Sequence, residues 1–162
     1  MTVVNAPFRL LPVALALTAL ACRPEPVTFD PQDPAVTAQI EASLKQAMEG
    51  AAAVDAEKAL AVTTMDKDFT FLTGDVMLVG YDDALPRFKD TYARLQKQHT
   101  EILSSRVRLL SPDVALVTAV GEGTYTDTAG FTSEPVGLGA TLVFVRRNGE
   151  WRAAHFHQSV AR

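Results

Sequence analysis

Apolar residues first recur at helical spacing: Val36, Ile40, Leu44 and Met48 fall four apart, and Gly50 supplies a stop. Asp55 then reads as the N-cap of a second helix, with Ala56, Ala59, Leu60 and Thr63 along one side. Two short apolar runs, 69–72 and 76–79, flank Thr73-Gly74-Asp75 and predict a small hairpin. A third helix is expected from Asp82 as cap, with Pro86 in the first turn, where amide hydrogens have no helical partner. Leu85, Phe88, Tyr92 and Leu95 would form its apolar stripe. After Gln98 the pattern is strand throughout, in four stretches at 100–110, 114–125, 135–146 and 150–160. Ser111-Pro112-Asp113 and Asn148-Gly149 make tight turns between them, and 127–132 a looser one. Asn-Gly is a strong hairpin signal because both central residues of a type I′ turn need positive φ. Helices followed by a curved antiparallel sheet predict an α+β fold, the helices packed on one sheet face.

The N-terminal segment has a different grammar. Positions 1–9 carry one cation and no acid, 10–20 are apolar, and Ala19-Leu20-Ala21 supplies small residues for a cut site. The apolar stretch is shorter than the roughly 20 residues that a membrane-spanning helix needs. Cys22, the only cysteine, follows at once. The arrangement resembles a bacterial lipoprotein signal, in which that thiol is acylated and becomes the mature N-terminus. Ordinary signal peptidase also accepts Ala-x-Ala, which would leave a soluble periplasmic or secreted protein. A lone thiol exported to an oxidising compartment has no disulfide partner, and this favours lipidation of Cys22. Arg23, rather than an acid, follows it, which favours the periplasmic face of an outer membrane. Pro24, Pro26, Pro31 and Pro34 then suit neither helix interior nor central strand. The expected organisation is a signal peptide at 1–21, a proline-rich tether at 22–34 and a domain at 35–162.

Composition narrows the partners. With 48% hydrophobic and 21% charged residues in 162, the chain has enough apolar content for one well-packed domain. The net charge of −4 argues against nucleic acid, because Glu101, Glu122, Asp127 and Glu150 interrupt the arginines of the C-terminal half.

Candidate chemistry is sparse. His155 and His157 share one face of a strand. The reading placed first is that they bond to backbone or partner groups and define a sheet or interface. A general base or ligand contact comes next, and half of a metal site last. Tyr92 reads first as core stripe with a wet hydroxyl. No nucleophile elbow, phosphate loop, CxxC or HExxH is present. Neither a metal nor a cofactor is expected.

Three stretches carry a family resemblance: Leu78-Val79-Gly80, His99-Thr100-Glu101-Ile102-Leu103, and Arg146-Arg147-Asn148-Gly149-Glu150-Trp151 with His155-Phe156-His157-Gln158-Ser159. From about Ala35 onward the chain resembles the SnoaL-like, nuclear transport factor 2-like superfamily, and within it the association (hub) domain of calcium/calmodulin-dependent protein kinase II. The resemblance implies a cone-shaped fold whose final strands lie mid-sheet. It also implies that Gly121, Gly123, Tyr125, Leu142, Phe144, Phe156 and Gln158 face the cavity, and that His155, His157, Thr118 and Glu122 lie on the outer face, where such domains dimerise. The hub-pocket arginines fall at Gly121, Leu142 and Gln158, so acid binding is not carried over. The ketosteroid isomerase residues find no residue-by-residue match; Asp68, Asp75 and Tyr92 correspond by rough position only. The function expected first is a small apolar or amphipathic ligand in the cone, with Tyr125, Leu142, Phe144, Phe156 and Gln158 as contacts, or a homodimeric accessory role through the sheet. An isomerase, cyclase or dehydratase using His155, His157 or Asp68 as base, with Tyr92 or Tyr125 polarising an oxygen, and a purely structural hub are the alternatives.

Overall fold

The computed structural model describes residues 28–161. Cys22, the signal segment and the first part of the tether lie outside them. Helix α1 (Pro34–Ala52) starts where Asp33 accepts hydrogen bonds from the amides of Ala35 and Val36, at 2.8 and 3.2 Å. Its first turn tolerates Pro34, which has no amide hydrogen to lose. Helix α2 (Ala56–Leu60) is capped by Asp55, as its position in the sequence predicts. The two helices pack so closely that a Cβ on Gly50 would sit 2.3 Å from the Ala59 nitrogen.

Strands β1 (Thr70–Thr73) and β2 (Val76–Val79) form the small hairpin. Helix α3 (Tyr81–Tyr92) then begins two residues earlier than expected, at a Gly80 cap with φ of 90°. Asp82 therefore lies inside the first turn beside Asp83, where negative charge suits the helix dipole. Pro86 falls beyond that turn, in the helix interior. The helix ends at Tyr92, and Leu95 opens β3 (Leu95–Ser111) instead of completing the helical stripe. Its spacing from Tyr92 fitted the helical repeat, but the Ala93 amide already closes α3 onto the Lys89 carbonyl.

Strands β4 (Val114–Asp127), β5 (Val136–Arg147) and β6 (Glu150–Val160) complete a curved, open six-stranded sheet in the order β2-β1-β6-β5-β4-β3. The last ribbon is central: β6 pairs antiparallel with β5 and parallel with β1. Asn148 and Gly149 adopt φ of 53° and 84° in the turn that joins β5 to β6. Ile40 and Leu44 of α1 pack on Val107, Val117, Leu142, Phe144 and Trp151 of the inner sheet face. Leu60, Phe69, Phe71 and Ala84 form a second cluster beneath α2 and α3. This is the cone of the nuclear transport factor 2-like α+β fold. The segment before α1 lies against β3, where the Leu109 amide donates a hydrogen bond of 2.9 Å to the Pro31 carbonyl.

Candidate functional site

The wide part of the cone is hollow. Above the packed core lies a cavity of about 380 Å³, toward the small end of the range usual for small-molecule sites. Helix α1 roofs it with Leu44, Ala47, Met48 and Ala51; α3 adds Phe88, Thr91 and Tyr92. Strand register explains the floor. Phe71, Phe156, Leu142 and Val117 pair across four strands and point inward as one apolar row. Two residues along each strand, the same face presents Thr73, Gln158, Ala140 and Ala119. The alanines leave room that larger side chains would fill.

Gly121 continues the inner face, and a Cβ there would meet the Glu101 carbonyl oxygen at 2.2 Å. That carbonyl brings Glu101 to the wall. Glu101 pairs in register with Glu122 and is exposed to solvent. Arg87 lies at the rim, exposed to solvent. Burial pushes the Tyr92 phenol up from its ordinary range, while the neighbouring Gln98 acts the other way. Tyr92 is therefore a neutral hydroxyl at neutral pH. Gln98 itself donates to the Ala51 carbonyl at 2.9 Å, tying β3 to the end of α1.

The comparisons decide the family. A family model described as the calcium/calmodulin dependent protein kinase II association domain matches residues 44–162, which includes every strand and most of the cavity wall. The chain belongs to that family. Among solved structures, this association domain is similar to a nuclear transport factor 2-like superfamily protein from Salmonella enterica, with a TM-score of 0.72 and 14% identity over 79% of this chain and 92% of that one. A protein from Xanthomonas campestris assigned to the same association-domain family gives a TM-score of 0.62 and 23% identity over 78% and 86%. The hexachlorocyclohexane dehydrochlorinase LinA-type3 from Novosphingobium barchaimii gives 0.69 and 14% over 79% and 88%. No curated protein matches. Similarity at these identities is a similarity of fold.

The association domain's predicted contacts divide cleanly. Leu142, Phe156, Gln158 and Gly121 line the cavity, as does Tyr92. Phe144 is inward-facing but wholly buried in the core below, so it is not a cavity wall. Tyr125 also lies off the cavity. Strand β4 runs past the end of its pairing with β5 at Gly123, and the Tyr125 ring instead packs edge-to-face with Phe131, centroids 6.4 Å apart.

His155 and His157 sit on the outer face with Thr70 and Leu72, and Thr70 Oγ1 lies 2.7 Å from His155 Nδ1. Asp68 is exposed on the loop before β1, its amide donating to Asp66. The candidate bases and the cavity are thus on opposite sides of the sheet or apart from each other. Among the described residues, no group of three His, Cys, Asp or Glu side chains is arranged to hold a metal. Sequence reasoning missed Thr73, Ala119 and Ala140 as walls. Their only signal was small size or polarity in an inward register that pairing alone defines.

Proposed function

We propose that this domain is an exported binding module that holds a small apolar or amphipathic molecule in its cone and assembles as a homodimer through the outer sheet face. The single observation that carries the ligand reading is the hollow itself, roofed by α1 and walled mostly by aliphatic and aromatic side chains. Apolar, concave, largely preformed space with a few polar groups is the usual character of such sites. Binding is favoured over catalysis because, among the described residues, no histidine lines the hollow and its one lining carboxylate, Glu101, is exposed to solvent, whereas a general base must reach the proton it removes.

The dimer reading rests on an outer face that no helix among the described residues covers, where Leu72, Leu116, Val120 and Val143 are interspersed with His155 and His157. Lipidation of Cys22 would hold the module at a membrane surface. Each buried methylene of an acyl chain contributes about 0.8 kcal/mol, so several chains give a stable anchor.

A thermal-shift panel of hydrophobic dyes and steroid-like compounds tests the ligand reading. At a concentration about a hundredfold above Kd a ligand adds about 2.7 kcal/mol, which moves Tm by several degrees in a domain of this size. Ala140→Phe, which fills the hollow, abolishes the shift. A flat panel would overturn the reading.

A further inference from the structure

Within a mostly apolar hollow, one polar pair stands side by side on the sheet floor. Thr73 of β1 and Gln158 of β6 are register partners in the parallel pairing of these strands, so they stand side by side on the inner face, about 4.8 Å apart along the hydrogen-bonding direction. The Gln158 amide and the Thr73 hydroxyl make no side-chain hydrogen bond to other described residues. Beside them in the same row are Ala140 and Ala119, whose methyls leave space over the β5 and β4 segments. Polar atoms left without protein partners in such a row are matched by a ligand or by water.

From this juxtaposition we propose that the hollow selects an apolar ligand with one uncharged head group that both donates and accepts hydrogen bonds, such as a carboxamide or alcohol, seated on Gln158 and Thr73. The inference rests on the ligand reading above and adds the chemistry of the head. Gln158 offers a carbonyl and an NH2 group, and Thr73 a hydroxyl, so the pair can satisfy both a donor and an acceptor. It offers no charge. A carboxylate seated there would shed its water among Leu142, Phe156 and the alanines without a counter-ion. The charged residues among the described walls are Arg87, exposed at the rim on α3, and Glu101 on β3, whose own negative charge would not welcome a carboxylate. The tail would run over Phe156 and Leu142 beneath Leu44 and Met48.

Displacement of Nile red from the purified mature protein by octanamide, octanoate and nonane tests this. Octanamide is expected to displace the dye at the lowest concentration. Gln158→Leu is expected to weaken octanamide about fivefold, the loss of one uncharged hydrogen bond, while leaving nonane within about twofold; Arg87→Gln is expected to change neither. Thr73→Val carries the same expectation and serves if Gln158→Leu does not fold. Unchanged octanamide binding in these variants would overturn the proposal, as would an octanoate preference that Arg87→Gln removes. Equal displacement by all three probes would refute the head-group site alone. Failure of every probe would refute the ligand reading, and this inference with it.

Discussion

Thr70 Oγ1 and His155 Nδ1 meet at 2.7 Å across the parallel pairing of β1 and β6, on the face turned away from the hollow. One strand thus serves two surfaces: Phe156 and Gln158 face inward, His155 and His157 outward. Thr70→Val is expected to lower stability by about 1 kcal/mol, the net worth of one hydrogen bond, without changing displacement of a cavity dye. Val120→Asp, on the same outer face and already 56% exposed, should convert a dimer into monomers in sedimentation velocity while leaving the circular-dichroism spectrum unchanged. A monomeric parent protein would remove the assembly half of the account.

The close approach at Gly121 has a sharp consequence. A methyl group there would lie 2.2 Å from the Glu101 carbonyl, so strand β3 or β4 must shift. Gly121→Ala is expected to cost about 1–3 kcal/mol, the usual range for an overpacked site. A urea titration reads this as a lower midpoint at unchanged slope. The same geometry bars the hub-type arginine from this position.

Stability should also depend on acid through Asp66. Burial pushes this carboxyl up, but the Thr64 hydroxyl, the Asp68 amide and Arg147 together outweigh it and hold it below the usual aspartate range. A carboxyl depressed on folding stabilises the native state above its unfolded value of 3.8, and that contribution is lost as pH falls through the lower folded value. Asp66→Asn is therefore expected to lower the melting temperature at pH 6 and to flatten the acid limb of stability below about pH 4. Parallel acid limbs for the two proteins would contradict this role.

Much of the architecture was legible because local rules agreed. Asp33 and Asp55 cap helices, Asn148-Gly149 turns a hairpin, and alternation sorts β6 into two faces. Errors arose where one spacing served two structures. Leu95 fits both the α3 stripe and the start of β3, and only the chain reversal after Tyr92 separates the two. The site was less legible than the fold. Leu142, Phe156 and Gln158 follow from alternation once the family register is applied. Tyr125 shares that alternation yet lies beyond the strand pairing that would cover it, and Phe144 is sealed by the packing of α1. Thr73 became a candidate only through its parallel pairing with Gln158, a contact 85 residues apart in sequence that no local pattern encodes.

The proposed membrane attachment rests on Cys22, outside the described part of the chain. Cys22→Ser, expressed with its native leader, is expected to move the protein from the membrane pellet to the soluble fraction. Continued pelleting with membranes, or a parent protein that is itself soluble, would refute the lipoprotein reading.

A crystal structure of the protein purified from its native source addresses the hollow most directly. Continuous density for a bound molecule is expected between Met48 of α1 and Leu142 and Phe156 of the sheet, with its polar end against Gln158. A collapsed interior, with α1 and α3 side chains closed onto the β-sheet and no space between them, would contradict it.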